Sequence, residues 1–242
     1  INLLPGAATT LSLGVINAAA GTHLVTIFTS APNNLADNFT NNDTIQSFIY
    51  INTASISAPF KEEFSGNTFP PPNWTIWNPQ GNTTWTKSTT SGFTAAGAAT
   101  VQNFDYDGGG QFDDLITPPI NMGSYDSSLL SFRVAYAVYD TVDVSLWDGI
   151  EVYVSGDGGA SYQLAYKKTG DQLRTITSPQ KTAFSALPSQ PSRWRLENIN
   201  LTPFMKPGKR LLIKFRNTNA YGNNTYIDDI NVSAFVSVNR DA

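Results

Sequence analysis

Apolar and polar residues alternate with a period of two along nearly the whole chain, and no segment carries a sustained helical stripe. The run SLLSFRVAYAVY shows it best. Leu130, Phe132, Val134, Tyr136 and Val138 fall on one face, and Ser131, Arg133, Ala135, Ala137 and Tyr139 on the other. Successive strand side chains point to opposite faces, so this pattern predicts a central strand with a well-buried face. Further strands are predicted over Lys61–Phe64, Asn73–Asn78, Thr84–Lys87, Ala98–Phe104, Leu115–Ile120, Leu129–Tyr139, Ile150–Ser155, Tyr162–Lys168, Arg193–Asn200, Arg210–Asn217 and Tyr226–Phe235. Gly, Pro, Asn and Asp punctuate the gaps between them, as turns require. So many short strands in one stretch predict an all-β protein, with residues 58–242 forming a two-sheet jelly-roll sandwich. The polar, aperiodic segment Thr169–Pro191 is expected to be a long surface loop with one or two short strands.

Residues 1–57 read as a separate unit, with strands near Thr10–Ile16, His23–Thr29 and Thr44–Ile51 and a polar loop, APNNLADNFTNND, before the last. An immunoglobulin-like sandwich needs about seven strands. This stretch therefore reads as the C-terminal part of such a domain. Its apolar residues Leu24, Ile27 and Phe28 then need cover from the next domain, another chain or a fragment of the same precursor. The chain starts at Ile1 without Met or a signal-like leader, which suggests a processed product or a piece of a longer polypeptide.

Composition narrows the function classes. Hydrophobic residues make up 40% and aromatics 12% of the 242 residues, enough for a real core. Charged residues are only 14%, against roughly a quarter in ordinary soluble domains, with Thr, Ser, Asn and Gly in their place. The net charge is −4 and no basic tract exists, so nucleic-acid binding lacks its main driving force. No apolar run reaches the roughly 18 residues of a membrane helix, so no membrane insertion is expected. The absence of cysteine excludes disulfides and suits a bacterial exported protein better than a eukaryotic secreted one.

Several phrases together resemble a known family. They are EEF at Glu62–Phe64, FPPPNWTIWN at Phe69–Asn78, TTWTKS at Thr83–Ser88, DDLITPPIN at Asp113–Asn121, LSFRVAY at Leu130–Tyr136, DGIEVYVSGDGGASY at Asp148–Tyr162, WRLENINL at Trp194–Leu201 and IKFRNTNAYGNNTYIDDINV at Ile213–Val232. In order and spacing they are similar to the MAM-like jelly roll of secreted Bacteroidetes proteins, which includes the cleaved-adhesin modules of gingipains and the choice-of-anchor J domains. The phrase GTHLVTIFTSAPNN resembles the adhesion-type immunoglobulin-like domains that precede this jelly roll. The resemblance implies export, commonly by type IX secretion, to the medium or the outer cell surface. It also implies an adhesive or accessory role beside proteases, glycoside hydrolases or large adhesins, and a bound structural calcium.

Calcium takes roughly six to eight oxygens, largely from carboxylates and backbone carbonyls. Three acidic pairs offer them: Glu62 and Glu63 on the first jelly-roll strand, Asp113 and Asp114 at a middle strand, and Asp228 and Asp229 on the last. First and last strands are commonly neighbours, and related modules place their ligands there. Glu63, Asp229 and, as a third, Asp114 are the expected ligands, with Glu62, Asp113 and Asp228 behind them. Against this stands the plainer reading that these acids face solvent or satisfy turn amides. The loop DYDGGGQFDDLI fails as an EF-hand, because Gly109 and Ile116 stand where ligating residues belong. SGDGGASY, Ser155–Tyr162, resembles an Asp-box, a motif whose aspartate caps a hairpin turn.

Of the five tryptophans, Trp74, Trp85 and Trp194 fall in framework phrases and are expected in the core. Trp77, Trp147, Tyr139 and Tyr221 are the candidates for a surface that stacks on a sugar ring. The single His23 has no recognisable Ser or Asp partner, and without cysteine an ordinary zinc site cannot be built. Adjacent strand carboxylates point to opposite faces, which argues against a two-acid glycosidase. Thr44 and Thr141 follow aspartate and precede aliphatic residues, a pattern of Bacteroidetes O-glycosylation. Asn-X-Ser/Thr sequons at Asn38, Asn42, Asn73, Asn82, Asn200, Asn223 and Asn231 are what an Asn/Thr-rich chain produces by chance. The reading that results is a non-catalytic, calcium-stabilised adhesion or accessory module binding a surface glycan or protein. A carbohydrate-binding module of a polysaccharide-degrading enzyme is the alternative, and a glycoside hydrolase the third.

Overall fold

A computed structural model describes residues 7–12, 14, 17–19, 21–30, 43–51, 54–208 and 210–236. The chain divides into two compact units, Ile1–Thr53 and Ala54–Ala242. In the first, β1 (Gly21–Phe28) and β2 (Thr44–Ile51) pair antiparallel from Gly21 opposite Ile51 to Phe28 opposite Thr44. Leu24, Ile27, Phe28 and Ile45 are exposed on this hairpin. Of the strand expected at Thr10–Ile16, Thr10, Leu11, Ser12 and Gly14 lie outside any strand, and its other residues fall outside the described set. The polar loop between β1 and β2, with Asn38 and Asn42, also falls mostly outside it.

The second unit is a sandwich of two sheets, the jelly-roll architecture expected from the strand pattern. Its strands are β3 (Ile56–Ser57), β4 (Phe60–Glu62), β5 (Thr75–Trp77), β6 (Thr86–Lys87), β7 (Ala99–Val101), β8 (Phe112–Ile116), β9 (Ile120–Asn121), β10 (Ser127–Tyr136), β11 (Gly149–Ser155), β12 (Gln163–Thr169), β13 (Arg195–Asn200), β14 (Arg210–Thr218) and β15 (Thr225–Phe235). One sheet runs β13-β10-β15-β7-β6 with β4 also on β15; the other runs β12-β11-β14-β8-β5, with β9 on β14 and β3 parallel to β9. Ile56 and Ser57, read from the sequence as the end of the first unit, thus ladder with the sandwich.

The inner face of β10 is the one its alternation picks out. Leu130, Phe132, Val134 and Tyr136 are fully buried against Leu115, Ile150, Val152 and Phe215. Phe132 meets Phe215 edge-on at 5.3 Å between ring centroids, a favoured aromatic arrangement. Trp74, Trp85 and Trp194 are buried, as their framework positions led us to expect. β8 differs from its expected span. It starts at Phe112 and stops at Ile116, because Pro118 and Pro119 cannot donate to a ladder.

Thr169–Pro191 also differs. No strand lies between Gly170 and Pro191; the segment opens with a single helical turn, α1 (Gly170–Leu173). It then covers the outer face of β10, where Phe184 and Ala186 pack with Ala135, Ala137, Trp194 and Tyr226. In place of a ladder, isolated backbone bonds, such as the Thr175 amide to the Tyr136 carbonyl and the Gln180 amide to the Val138 carbonyl, combine with side chains to satisfy its backbone. Asn223 Nδ2 donates to the carbonyls of Gln180 and Thr182, and the Phe184 amide donates to Asn223 Oδ1 at 2.7 Å. Its few apolar anchors have no common period, which is why the sequence reads as a plain loop. Among the described residues no helix is long and apolar enough to cross a membrane.

Candidate functional site

β15 changes partner midway, pairing with β7 up to Ile227 and with β4 from Ile230. At the changeover its register on β10 slips, and Asp229 adopts φ +47, the left-handed backbone of a bulge that re-aims side chains. Asp228 is 2% exposed and accepts hydrogen bonds from the amides of Phe93 and Asp229, each at 2.8 Å. Burial pushes its carboxyl up to about 6, the two amides pull it down, and the charges of Asp229 and Glu63 push it up again. Asp229 is raised by burial and then by Glu63. Glu62 is raised by burial while accepting from the Phe64 amide at 2.6 Å. Glu63, just beyond β4, is exposed and ion-paired with Lys61 at 3.1 Å. Beside these acids opens a cleft of about 350 Å³, walled by Phe64, Thr68, Pro71 and Pro72.

The pairing of β4 with β15 thus gathers Glu62, Glu63, Asp228 and Asp229. Asp113 and Asp114 belong to the other sheet. Asp114, 1% exposed, takes a bidentate pair from Arg216 at 2.7 and 3.0 Å and a further contact from Lys214 at 3.2 Å. Asp113 is buried and raised to about 6 by burial, with Thr84 lowering and Asp114 raising it. Among the described residues no three His, Cys, Asp or Glu side chains form a group able to hold a metal ion.

A second cluster forms where several loops meet around Asp148, a residue with no exposed surface. One carboxylate oxygen accepts from the amides of Ala220 at 2.8 Å and Gly222 at 3.4 Å. The other accepts from the Asn223 amide at 2.6 Å and the Tyr136 hydroxyl at 3.2 Å. Burial pushes its carboxyl up to about 6, and these donors hold it from going higher. A Cβ at Gly222 would overlap the Leu146 carbonyl and the Asp148 carboxylate, so only glycine lets the loop come this close. Beside it Asn103 exchanges amide hydrogen bonds with Asn217 at 3.2 and 2.9 Å and accepts from Asn219 at 3.0 Å. Asn219 accepts in turn from the Gly108 amide at 3.0 Å, and Thr225 donates to Asn217 at 2.7 Å. A buried network satisfied in this way is rigid, since any rearrangement strands polar groups in a low dielectric.

This floor supports an aromatic cleft of about 210 Å³, lined by Phe104, Asp105, Tyr139, Leu146, Tyr221 and Gly222. Phe104 and Tyr139 stand 6.2 Å apart, tilted by 54°. Tyr221 is 46% exposed and held at φ +56. The adjoining turn carries Val142 and Val144, 86% and 64% exposed. Asp140 shapes that turn by accepting from the amides of Val142 and Asp143 at 2.7 and 3.2 Å. Its carboxyl is drawn down to about 2, chiefly by Lys181. Trp147 lies beneath, half-buried; its indole donates to the Asp140 carbonyl at 2.9 Å and fills the space a side chain at Gly170 would need. Of the expected ligand residues the cleft therefore unites Tyr139 and Tyr221, with Trp147 as support. Trp77 stands on β5 opposite Asp114 and is not part of its lining. Thr141 is exposed in the same turn, and Thr44 is exposed at the start of β2. The sequence reading passed over Asp148, Asn103 and Phe104. The signal was the asparagine density of RNTNAYGNNT, far beyond what a hairpin turn needs.

Elsewhere, Asp157 caps its hairpin by accepting from the Ser161 hydroxyl at 2.6 Å, the Ser161 amide at 2.9 Å and the Ser155 hydroxyl at 2.8 Å, which together hold its carboxyl well below the usual range. His23 contacts the Ala19 carbonyl at 2.8 Å.

No family model matches the chain, and no curated protein does. Among solved structures, the K1 cleaved adhesin domain of Lys-gingipain from Porphyromonas gingivalis W83 matches with a TM-score of 0.51 at 17% identity, over 73% of this chain and 98% of that one. The K3 cleaved adhesin domain of the same protein matches with a TM-score of 0.52 at 16% identity, over 73% and 99%. A xylan-binding domain from Paenibacillus barcinonensis aligns over 76% of this chain at 9% identity, with a TM-score of 0.42. The likeness to the two adhesin domains is one of fold.

Proposed function

We propose that the chain is a non-catalytic binding module of the MAM-like, cleaved-adhesin kind, preceded by the end of an immunoglobulin-like domain and working at the outer cell surface. It engages a surface glycan or protein through the loop cluster around Tyr139 and Tyr221. The observation that carries this reading is the aromatic cleft, with Val142, Val144 and Tyr221 left in water beside it. Apolar groups held in solvent on a rigid floor cost the free protein and are recovered only when a partner covers them. The shared fold with domains described as cleaved adhesins is consistent with it. One carboxylate, Asp105, lines the cleft, so the cleft does not hold the paired acids a glycosidase uses. Tyr221→Ala and Tyr139→Ala should each weaken binding to a glycan array or to cell-surface protein extracts by roughly tenfold or more, as loss of an aromatic anchor does. Binding that survives both, or that depends on Trp77 instead, would move the site to the other sheet.

A structural calcium on two carboxylates, Glu63 and Asp229, is proposed alongside, with Asp228 near enough to feel their charge but not as a third ligand. Mutual repulsion among these acids supports it, and backbone carbonyls would have to supply the remaining oxygens. Chelator should then lower the melting midpoint, and an unchanged midpoint would sink the site. Proton linkage provides a second readout. Asp228, Asp113 and Asp148 are raised to about 6 in the fold, against roughly 4 in an unfolded chain. The stability they contribute is complete below about pH 4 and is lost as pH rises through 6. Chelated protein should melt higher at pH 5 than at pH 7, and calcium should shrink that gap by removing the share of Asp228. A midpoint that falls between pH 7 and pH 5 would contradict this assignment.

A further inference from the structure

We infer that the aromatic cleft takes an alkylammonium group, the end of a lysine side chain presented by a protein partner. This rests on the loop-cluster reading above and names the ligand chemistry at that site. Three ring systems, Phe104, Tyr139 and Tyr221, and one carboxylate, Asp105, surround a space of about 210 Å³. The face of an aromatic ring carries negative potential, and a cation among several rings gains from each of them. Tyr139 already does this on one side, where the Lys181 ammonium stands 4.2 Å from its ring centroid. That ammonium is neutralised by Asp140 at 2.6 Å, and Lys181 is not part of the lining. Among the described residues no lysine or arginine lines the cleft to answer Asp105. The site therefore offers three aromatic side chains and a carboxylate, with no cation among its described lining residues.

Other ligand classes fit less well. A phosphate or carboxylate would face Asp105 with no cation to receive it. A sugar ring needs several polar partners for its hydroxyls, but the lining side chains offer two phenols and one carboxylate, with no amide or guanidinium. Buried hydroxyls would lose their water bonds without replacement. The volume lies below the roughly 300–1,000 Å³ of sites that enclose whole small molecules, which suits one functional group. Leu146 suits the methylenes of a lysine stem, and Val142 and Val144 supply apolar surface for the protein that bears it.

NMR titration of the full chain, with labelled tyrosine, tests this. The probes are Nα-acetyl-lysine methylamide, choline, choline's neutral isostere 3,3-dimethylbutan-1-ol, and galactose and cellobiose. The two ammonium compounds should shift the Tyr139 and Tyr221 signals saturably, and the isostere should bind roughly fivefold or more weakly. Asp105→Asn, at an exposed position, should weaken the ammonium compounds alone and leave the melting midpoint unchanged. An isostere that binds as tightly, or ammonium binding indifferent to Asp105→Asn, overturns the inference. Sugars that move these signals while ammonium compounds do not overturn it too, and leave the loop-cluster reading standing. If no probe moves them and Tyr221→Ala leaves partner binding intact, both fall.

Discussion

Asp148→Ala is expected to lower the melting midpoint of the sandwich by on the order of 10 °C. The carboxylate is buried and receives the amides of Ala220, Gly222 and Asn223 and the Tyr136 hydroxyl. Truncation leaves three amides of one loop without their acceptor in a largely buried place. Each orphaned group costs about 1–3 kcal/mol. Partial entry of water offsets some of this, so a total of about 3–5 kcal/mol is reasonable. A unit of this size loses roughly 2–4 °C per kcal/mol. Two companion variants separate the causes. Tyr136→Phe removes one donor and should cost about 1 kcal/mol. Asp148→Asn keeps the shape but turns an N–H toward amides that need an acceptor, so it should fall between. Binding at the Tyr139–Tyr221 cleft should suffer in Asp148→Asn even where the fold survives, because Tyr221 and Gly222 ride on the tethered loop. A midpoint within about 2 °C of wild type for Asp148→Ala would show that the clamp is not what holds the loop.

Asp114→Ala should be comparably severe, by a different route. Asp114 answers Arg216 and Lys214 on the outer face of its sheet, and Arg216 is wedged against Phe112, 3.6 Å from the ring centroid, with Tyr153 at 5.1 Å. Removing the acid leaves a guanidinium and an ammonium side by side, largely out of water. Breaking a buried pair in this way costs about 3–5 kcal/mol. Replacing Asp114 and Arg216 together with apolar residues of similar volume costs less, because the guanidinium goes with its carboxylate and only the Lys214 ammonium, 14% exposed and close to the Tyr153 and Tyr162 rings, loses its partner. The double variant Asp114→Leu, Arg216→Met should therefore recover much of what the single one loses. Thermal or urea unfolding of the three proteins decides it; a double variant no better than Asp114→Ala would assign the effect to packing. The loss in Asp114→Ala should also be equal with and without calcium, because Asp114 stands in the sheet opposite Glu63 and Asp229.

The sandwich was legible because its inner faces obey one simple rule. The Leu130–Val138 alternation is imposed by a two-sided sheet, and such a rule shows in any window that covers it. What escaped the sequence reading follows no period. Phe184 and Ala186 anchor an irregular segment, and nothing local marks two residues that meet β10 from across a loop. The site shows the same split. Tyr139 and Tyr221 were visible as aromatics that the framework leaves less constrained, whereas Phe104 looked like the end of a strand. Glu63 and Asp229 were expected together because first and last strands neighbour each other in such folds. Asp114 was added as a third because its acidic pair leads a middle strand, and the place of β8 in the other sheet separates it from them.

The asparagine floor beneath the cleft has an evolutionary consequence. Foldability is vested in Asp148, Asn103 and Asn217, while Tyr221, Val142 and Val144 on the rim contribute little to it. Exposed substitutions of the latter sort usually change stability by less than about 0.5 kcal/mol. Descendants of this module are therefore free to exchange the rim residues and acquire new partners without first securing a compensating mutation inside.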